Sequence, residues 1–301
     1  MLKEFLFASS MIIAMTVAAA SAQAQSVSPV PYTPNKVVSF YVGGHPDDVE
    51  LFMGKSIIDD MKANPTGKKV FVITTAGDGG LGFEGGSSSS YWAARAAGHV
   101  DAVTFMFSFA SRAATDPVTT YVSQNGYTLA RTVISNDIVM YNFLLPDSSI
   151  QGLYTTPLAK VTALDNLRTF SKDSMTATLQ AIIRSEAPIA TKIWLNLMDP
   201  NSANNPGDHP DHMYSSKFFL DATATVDFAC VGNTFYKTYV MSQLAENLST
   251  TDKYAHAGTF AAVQTGMLKH TRGMSWEADH LAWLGKHYIT GSNQPKGVCT
   301  F

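Results

Sequence analysis

The chain has 301 residues, of which 46% are apolar and 15% are charged, and its formal net charge is −3. This composition excludes a disordered chain, and the small net charge argues against nucleic acid or an anionic membrane surface as a partner. We therefore expect a globular, mildly acidic protein.

The first segment of the chain has the features of a secretory signal peptide. Lys3 precedes an uncharged stretch from Phe5 to Ala20, and Ala22-Gln23-Ala24 supplies small residues where a signal peptidase reads them. The apolar run is shorter than the roughly 20 residues that span a bilayer, and an uncleaved membrane anchor is the alternative. We expect removal of residues 1–24, leaving a single domain at 25–301 in a secreted or periplasmic protein.

Apolar runs and helical spacing alternate along the rest of the chain. Strands are predicted at Val37–Val42, Val70–Thr75, Ala102–Phe107, Lys192–Met198 and Phe235–Val240. Helices are predicted from Leu51 to Met61, Tyr91 to Gly98, Ser174 to Ser185 and Pro210 to Ala222, and residues 108–161 as inserted loops with short helices or strands. This alternation implies a doubly wound α/β fold with a mostly parallel sheet, whose binding site lies outside the carboxyl ends of the strands.

The two cysteines have two interpretations. An oxidising compartment would let Cys230 and Cys299 form a disulfide that ties the C-terminal tail to the body of the protein. Alternatively, they are unrelated thiols, one in a core strand and one in a loose tail. Neither lies near a histidine cluster, so a metal-binding role is not expected.

Two short motifs carry the residues that indicate chemistry. His45-Pro46-Asp47-Asp48 follows the first predicted strand, and His209-Pro210-Asp211-His212 follows the strand at 192–198. Proline suits the first position of a helix because it has no amide hydrogen to leave unpaired, so each motif should hold its polar side chains at a helix N-terminus. If the two strand-to-helix corners formed by these motifs face one crevice, they bring three histidines and three aspartates together.

Such a set is sufficient for an open metal site with two nitrogen ligands and one carboxylate. A single His-Pro-Asp motif can be explained as a capped helix start, because the helix dipole favours an aspartate in the first turn. Capping gives no reason, however, for imidazoles in both motifs. The pair therefore favours a functional site.

Together the two motifs resemble those of the PIG-L/LmbE family of metal-dependent deacetylases, which act on N-acetylglucosaminyl groups and related amides. The resemblance runs from about Val37 to Val240. It implies a Rossmann-like fold with helices on both faces of the sheet and a metal that is usually zinc. It also implies that His45, Asp48 and His212 are the metal ligands.

The same resemblance implies roles for the remaining motif residues. Asp47 resembles the general base, and it could accept a proton from the attacking water. His209 resembles the residue that stabilises the oxyanion and protonates the leaving amine, with Asp211 as its orienting partner. A metal with three protein ligands keeps a position for water and polarises the amide carbonyl, so no further cofactor is expected.

Three further features resemble the substrate-binding parts of the family. Arg95 lies in a predicted helix that commonly carries a sugar-binding arginine, and Asp147 stands in a stretch whose aspartate contacts sugar hydroxyls. The glycine-rich segment Thr75–Gly80 follows the second strand, as a similar loop does in relatives. The structural alternatives are a surface arginine, an Asx turn and a loop shaped by turn geometry.

The other candidate motifs indicate no separate site. Gly77–Gly82 formally matches a dinucleotide fingerprint, but the loop continues to Ser90 before any helix, so no helix N-terminus is placed for a pyrophosphate. Asp279-His280, between Trp276 and Trp283, is interpreted as part of a packed C-terminal helix rather than a sugar cleft. The other histidines are expected to be structural or to lie at the surface; they are His99, His256, His270 and His287.

The leading functional hypothesis is an exported zinc-dependent enzyme that removes an acetyl or similar acyl group from an amino sugar or glycoconjugate. A non-catalytic carbohydrate-binding relative is one alternative. A hydrolase with the same machinery that acts on a non-sugar amide is another, because aromatic loops between residues 105 and 155 would suit either ligand.

Overall fold

The computed structural model describes residues 37–83, 90–110, 113–187, 192–272, 278–297 and 299. The signal-peptide segment and Trp276 lie outside these residues. Export therefore remains a prediction from the sequence.

An eight-stranded sheet lies at the centre of the described structure. Its strands are β1 (Val37–Gly43), β2 (Lys68–Thr75), β3 (Val118–Gln124), β4 (Tyr127–Ser135), β5 (Ile138–Leu145), β8 (Lys192–Met198), β9 (Cys230–Tyr236) and β10 (Ile289–Lys296), while β6 (Lys160–Thr162) and β7 (Thr169–Ser171) pair separately. The strand order is β10-β9-β8-β1-β2-β5-β4-β3. In this order the neighbouring strands β9, β8, β1, β2 and β5 pair in parallel. At the two edges of the sheet, β10 pairs antiparallel with β9, and β4 and β3 continue antiparallel from β5. The mostly parallel α/β sheet is confirmed.

Helices cover both faces of this sheet. They are α1 (Asp48–Ala63), α2 (Tyr91–Phe109), α3 (Ile150–Thr155), α4 (Lys172–Glu186), α5 (Pro210–Ala224), α6 (Thr250–Lys269) and α7 (Ala278–Trp283). Successive strand residues point to opposite faces, so Phe40 of β1 packs in the core with α4 and α5, and Tyr41 packs in the core with α1, α2 and α6. This arrangement confirms the doubly wound topology with two hydrophobic layers.

The strand predicted at Ala102–Phe107 is wrong, because these residues form the second half of α2. A short apolar run cannot by itself distinguish a buried strand from a buried helix. Here the run is apolar on two sides, since α2 lies between the sheet and α6. Gly98 and Gly266 allow this close packing: a Cβ on Gly98 would lie 2.6 Å from the carbonyl oxygen of Val263.

Residues 108–161, predicted as inserted loops with short helices or strands, form more regular structure than expected. This segment supplies β3, β4 and β5, and β5 continues the parallel sheet beside β2, with Val139 opposite Val70. Asn125 and Gly126 join β3 to β4, both with positive φ (50° and 79°). An Asn-Gly pair between two β-prone runs is a strong hairpin signal, and the sequence interpretation overlooked it.

The strand predicted at 235–240 lies earlier, because β9 ends at Tyr236 and Tyr239–Gln243 form a 3-10 helix. The strand was hard to recognise since it contains Gly232, where a Cβ would lie 2.2 Å from the ring of Trp194. Cys230 begins β9 and forms a disulfide with Cys299, with 5.4 Å between their Cα atoms. Across the described ranges, every helix is too short or too polar to traverse a bilayer.

Candidate metal centre

The two sequence motifs meet at the carboxyl ends of β1 and β8. The corner after β1 leads directly into α1, and His209 caps α5, its Nδ1 accepting the backbone N–H of Asp211 at 3.2 Å. Proline stands at the first turn of α5, as expected from its missing N–H. A Cβ on Gly44 would lie 3.0 Å from the backbone of Asp211, so glycine lets the two corners touch.

His45, Asp48 and His212 form a buried group with the composition of a metal site. One ligand atom from each lies within 4.8 Å of the others. The Nε2 of His212 is 3.1 Å from Oδ1 of Asp48, and the Nδ1 of His45 is 3.5 Å from Oδ2 of Asp48. The structure therefore brings together the three residues expected to bind the metal.

The hydrogen bonds of His212 support this interpretation. Its Nδ1 lies 2.7 Å from Oδ1 of Asp208, and its Nε2 is buried and faces Oδ1 of Asp48. A carboxylate on one ring nitrogen fixes the tautomer and leaves the other nitrogen for a metal. The donor set of two imidazoles and one carboxylate fits zinc or a similar divalent ion.

A second group of ligand-type residues shares His45 and includes Asp147, His209 and Asp211. The Nε2 of His45 is 3.2 Å from Oδ2 of Asp211 and 3.4 Å from Oδ1 of Asp147. The Nε2 of His209 is 3.6 Å from the same oxygen of Asp147. Asp147, expected at the substrate, thus lies directly beside the imidazoles.

Asp47 and Arg95 form an ion pair at the edge of the first group. The Nη2 of Arg95 is 2.5 Å from Oδ1 of Asp47, and its Nη1 donates to the carbonyl of Gly77 at 2.6 Å. A Cβ on Gly77, whose φ is +56°, would lie 2.1 Å from Arg95, which explains the glycine. Arg95, expected to bind sugar, orients Asp47 in this arrangement.

Neighbouring carboxylates raise the pKa of two imidazoles of the site, those of His212 and His45. Burial alone would lower the pKa of His212, but Asp48 and Asp208 outweigh it and raise that pKa to about 9. Burial likewise opposes a raised pKa at His45, and Asp48 and Asp147 raise it well above its usual value. A proton and a metal ion therefore compete for the same nitrogens, which makes metal binding dependent on pH.

His209 differs from the other two imidazoles. Burial and the neighbouring charge of His45 lower its pKa below the usual value, while Asp211 and Asp147 act in the opposite direction. This direction works against the protonated form that the sequence interpretation assigned to His209. The pKa of His209 depends on the charge at His45, and a cation bound to His45 would change that charge.

Sequence reasoning missed two aspartates that support the site. Asp208 holds His212, and its position four residues earlier in the chain was an available signal. Asp78 is buried and accepts the backbone N–H groups of Asp147, at 2.7 Å, and Gly82, at 2.8 Å. Asp78 therefore ties the glycine-rich loop to Asp147, a contact between distant segments that no local pattern predicted.

A cavity of about 390 Å³ opens beside Asp47 and Asp48. Its far wall is aromatic: Tyr239 stacks on Trp283 with ring centroids 4.9 Å apart, and Phe52 meets both rings edge-on. His280 also lines this cavity, so α7 contributes to the site in addition to packing.

Comparisons with known proteins found similarity at the level of solved structures. No protein-family model and no curated protein sequence matches the chain. One similar structure is an N,N'-diacetylchitobiose deacetylase from Pyrococcus horikoshii, with 15% identity, 85% of this chain and 83% of that chain covered, and a TM-score of 0.47.

Two further similar structures are enzymes with different activities. A deacetylase of the teicoplanin biosynthetic pathway has 10% identity, covers 82% of this chain and 88% of its own, and gives a TM-score of 0.45. A 4-carboxy-2-hydroxymuconate hydratase from Pseudomonas putida KT2440 has 11% identity, 82% coverage of both chains and a TM-score of 0.40. The similar structures thus include deacetylases, the class of enzyme that the two motifs resemble.

Proposed function

We propose that this chain is an exported, zinc-dependent amidohydrolase that removes an acetyl or similar acyl group from an N-acylated amino sugar or glycoconjugate. One observation carries the proposal: His45, Asp48 and His212 converge in a buried group in which Asp208 holds the Nδ1 of His212 and its Nε2 faces Asp48. Asp47, a carboxylate outside this ligand set, lies immediately beside it.

The metal ligands in this proposal are His45, Asp48 and His212. A divalent ion bound there would supply Lewis acidity, which polarises an amide carbonyl and lowers the pKa of water. Asp208 keeps His212 in the required tautomer through its Nδ1. Identification of the ion as zinc rests on the nitrogen and oxygen donors and on the family resemblance.

The chemistry of hydrolysis is divided among the surrounding residues. Asp47, oriented by Arg95, accepts a proton from the water that attacks the carbonyl carbon. His209 lies at the rim of the site, where its Nε2–H can donate a hydrogen bond to the carbonyl oxygen. The proton that Asp47 takes from water can then pass to the departing nitrogen. Asp211 accepts the backbone N–H of Ser148 at 2.8 Å and fixes the position of both His45 and His209. The products are a carboxylate and a free amine.

The substrate assignment rests on the polar and aromatic parts of the site. Asp147 is partly exposed, with 20% of its side-chain surface accessible, and can contact sugar hydroxyls as well as the imidazoles. The aromatic wall formed by Tyr239 and Trp283 suits the apolar face of a sugar ring or an acyl group. These features favour a neutral, polyhydroxylated amide.

Release of primary amine from N-acetylglucosamine, N,N'-diacetylchitobiose, their N-butyryl analogues and the non-sugar amide N-acetylglycine tests the proposal. The chain from Gln25, loaded with zinc, should release amine from at least one sugar, and a chelator should abolish the release. An Asp47→Asn control run in parallel should release amine at least about 100-fold more slowly. If only non-sugar amides are hydrolysed, the metal-dependent mechanism stands and the proposed sugar substrate is wrong. If the chain binds metal but hydrolyses no amide, the proposed enzymatic activity is wrong.

A further inference from the structure

The two edges of the central sheet differ in how far they are protected from further pairing. β10, at one edge, contains Pro295 and Lys296, and its pairing with β9 shifts register twice. Proline, lysine and irregular pairing all keep an edge strand from joining another chain. β3, at the opposite edge, has none of these features between Val118 and Gln124.

β3 is instead a regular strand with an open edge. Its pairing with β4 runs in unbroken register from Val118 opposite Val133 to Gln124 opposite Tyr127. In the described part of the chain, β4 is the only strand that pairs with β3, and the residues from Val118 to Tyr121 are all exposed. None of its residues is charged, so no like charges would face each other if a second strand joined this edge. Such an edge is a template for pairing with another chain.

The hairpin determines which backbone groups β3 offers to a partner. Gln124 lies opposite Tyr127 across a two-residue turn, so these two residues exchange backbone hydrogen bonds. Hydrogen-bonded and non-hydrogen-bonded pairs alternate along antiparallel strands. The N–H and C=O groups of Thr119, Tyr121 and Ser123 therefore point away from β4, and they offer three donors and three acceptors at the open edge.

These three residues form a set that is complementary to itself. When a second copy of β3 runs antiparallel with Tyr121 opposite Tyr121, Thr119 of each copy lies opposite Ser123 of the other, and all of the outward groups are paired. A pairing centred on Thr120 would leave Ser123 opposite a residue outside β3, and one centred on Val122 would do the same to Thr119. The most complete partner for this edge is thus a second copy of the chain, related by a two-fold axis.

The side chains beside this edge also suit a second copy. Tyr121 is 50% exposed and Leu167, in the turn before β7, is 73% exposed. Both line a cavity of about 370 Å³ that lies beneath α2, between this helix and strands β3 to β5. The neighbour of Tyr121 on β4 is Ala130, whose small side chain leaves much of the tyrosine uncovered. Pairing places the two Tyr121 rings opposite each other on one face, and aromatic cross-strand pairs are stabilising.

We propose that β3 is the contact between two copies of this chain, which join their central sheets by antiparallel pairing centred on Tyr121. One strand from each copy forms the contact, so the buried area is small and the association is reversible. The dimer is independent of the proposed function.

The existence of the dimer is tested by sedimentation velocity of the chain from Gln25 at about 1–200 µM. The chain should sediment as a mixture of monomer and dimer, and the dimer fraction should rise with concentration. A monomer at every concentration would overturn the proposal.

The pairing of Thr119 with Ser123 is tested by charge. A chain with Thr119→Lys and Ser123→Lys places lysine opposite lysine twice in the dimer, whereas a chain with Thr119→Lys and Ser123→Glu places lysine opposite glutamate twice. The second variant should dimerise at least about fivefold more tightly than the first. Both positions are exposed, and thermal melting verifies that both variants fold. Equal dissociation constants for the two folded variants would overturn the proposed contact.

The two-fold axis at Tyr121 is tested by cross-linking. Cys230 and Cys299 are bonded to each other, so an introduced cysteine is the single free thiol of the chain. In Tyr121→Cys the two copies of the new residue lie opposite each other with Cα atoms about 5.5 Å apart, within the range of a disulfide.

Oxidation with diamide should therefore yield a covalent dimer of Tyr121→Cys on a non-reducing gel. Thr119→Cys is the matched control, because its two copies are offset by four residues, or about 13 Å, and should remain largely uncross-linked. Equal cross-linking of the two variants, or none of Tyr121→Cys at concentrations where the chain dimerises, would overturn the pairing centred on Tyr121.

Discussion

The metal centre and the cavity beneath α2 use polar side chains in opposite ways. At the metal centre, imidazoles and carboxylates lie against one another, as in the 3.1 Å approach of His212 to Asp48. Around the cavity, His99, Arg168 and Trp92 each retain a nitrogen without a partner beside an apolar space. Helix α2 serves both regions, since it carries Arg95 to Asp47 and Trp92 to the cavity. The first region brings charged groups together, and the second keeps buried nitrogen atoms among largely apolar side chains.

The largest effect should follow from removal of a metal ligand. His212→Ala deletes one of the two imidazole ligands of the proposed site, so bound metal and amine release should both fall to background. Metal content after dialysis and amine release measure the two losses. Retention of metal by His212→Ala at the level of the unaltered chain would remove His212 from the ligand set.

Replacement of the proposed base should separate binding from chemistry. Asp47→Asn retains the shape of the side chain but not its ability to accept a proton, so turnover should fall by about 10²–10⁴-fold. Metal content should remain at the level of the unaltered chain. Asp48→Asn is the matched control, because the same change one residue later should release the metal. Metal loss from Asp47→Asn would place Asp47 among the ligands.

A smaller effect is expected from the residue behind His212. Asp208→Asn should weaken metal affinity by about 10–100-fold, because the imidazole loses the carboxylate that fixes its tautomer. Competition with a chelator of known affinity measures the change. At saturating metal, activity should largely return. Failure to recover would indicate that Asp208 acts in catalysis as well as in orientation.

The smallest expected effect is on the pH dependence of stability, and it comes from the buried imidazole of His256. His256 lies in α6 against α1, and burial together with the charge of His287 lowers its pKa from 6.5 to about 4. The unfolded chain takes up a proton near pH 6.5 while the folded chain does not, so stability is lost as pH falls from about 6.5 towards 4. His256→Gln should reduce the loss between pH 7 and 5.5 by about 1 kcal/mol.

Urea unfolding of the chelator-treated protein at several pH values measures this difference without a contribution from metal release. An unchanged pH dependence in His256→Gln would show that His256 titrates normally in the folded chain.

The metal centre could be predicted from the sequence because its residues are concentrated in two short segments. His45 to Asp48 and His209 to His212 each follow a buried strand, and the rule for parallel sheets places both at one edge. Asp208 was missed although it adjoins the second segment. The pairing of Asp47 with Arg95 and of Asp147 with His45 joins distant segments, and no spacing along the chain indicates such contacts.

The cavity could not be predicted, because its walls come from regions where the sequence interpretation failed. Residues 102–107 continue α2 rather than forming a strand, and β3 to β5 occupy a segment expected to be inserted loops with short helices or strands. Both errors arise from tertiary context: α2 is apolar on two sides because the sheet and α6 both cover it. Arg168 joins the cavity only through the fold of the turn before β7.

The most direct test is to locate the ion in crystals of the zinc-loaded chain by anomalous diffraction at the zinc edge. One peak is predicted about 2.0–2.2 Å from Nε2 of His212, an oxygen of Asp48 and a ring nitrogen of His45. A peak held instead by Asp147, His209 and Asp211, or no peak at either group, would contradict the proposed metal centre.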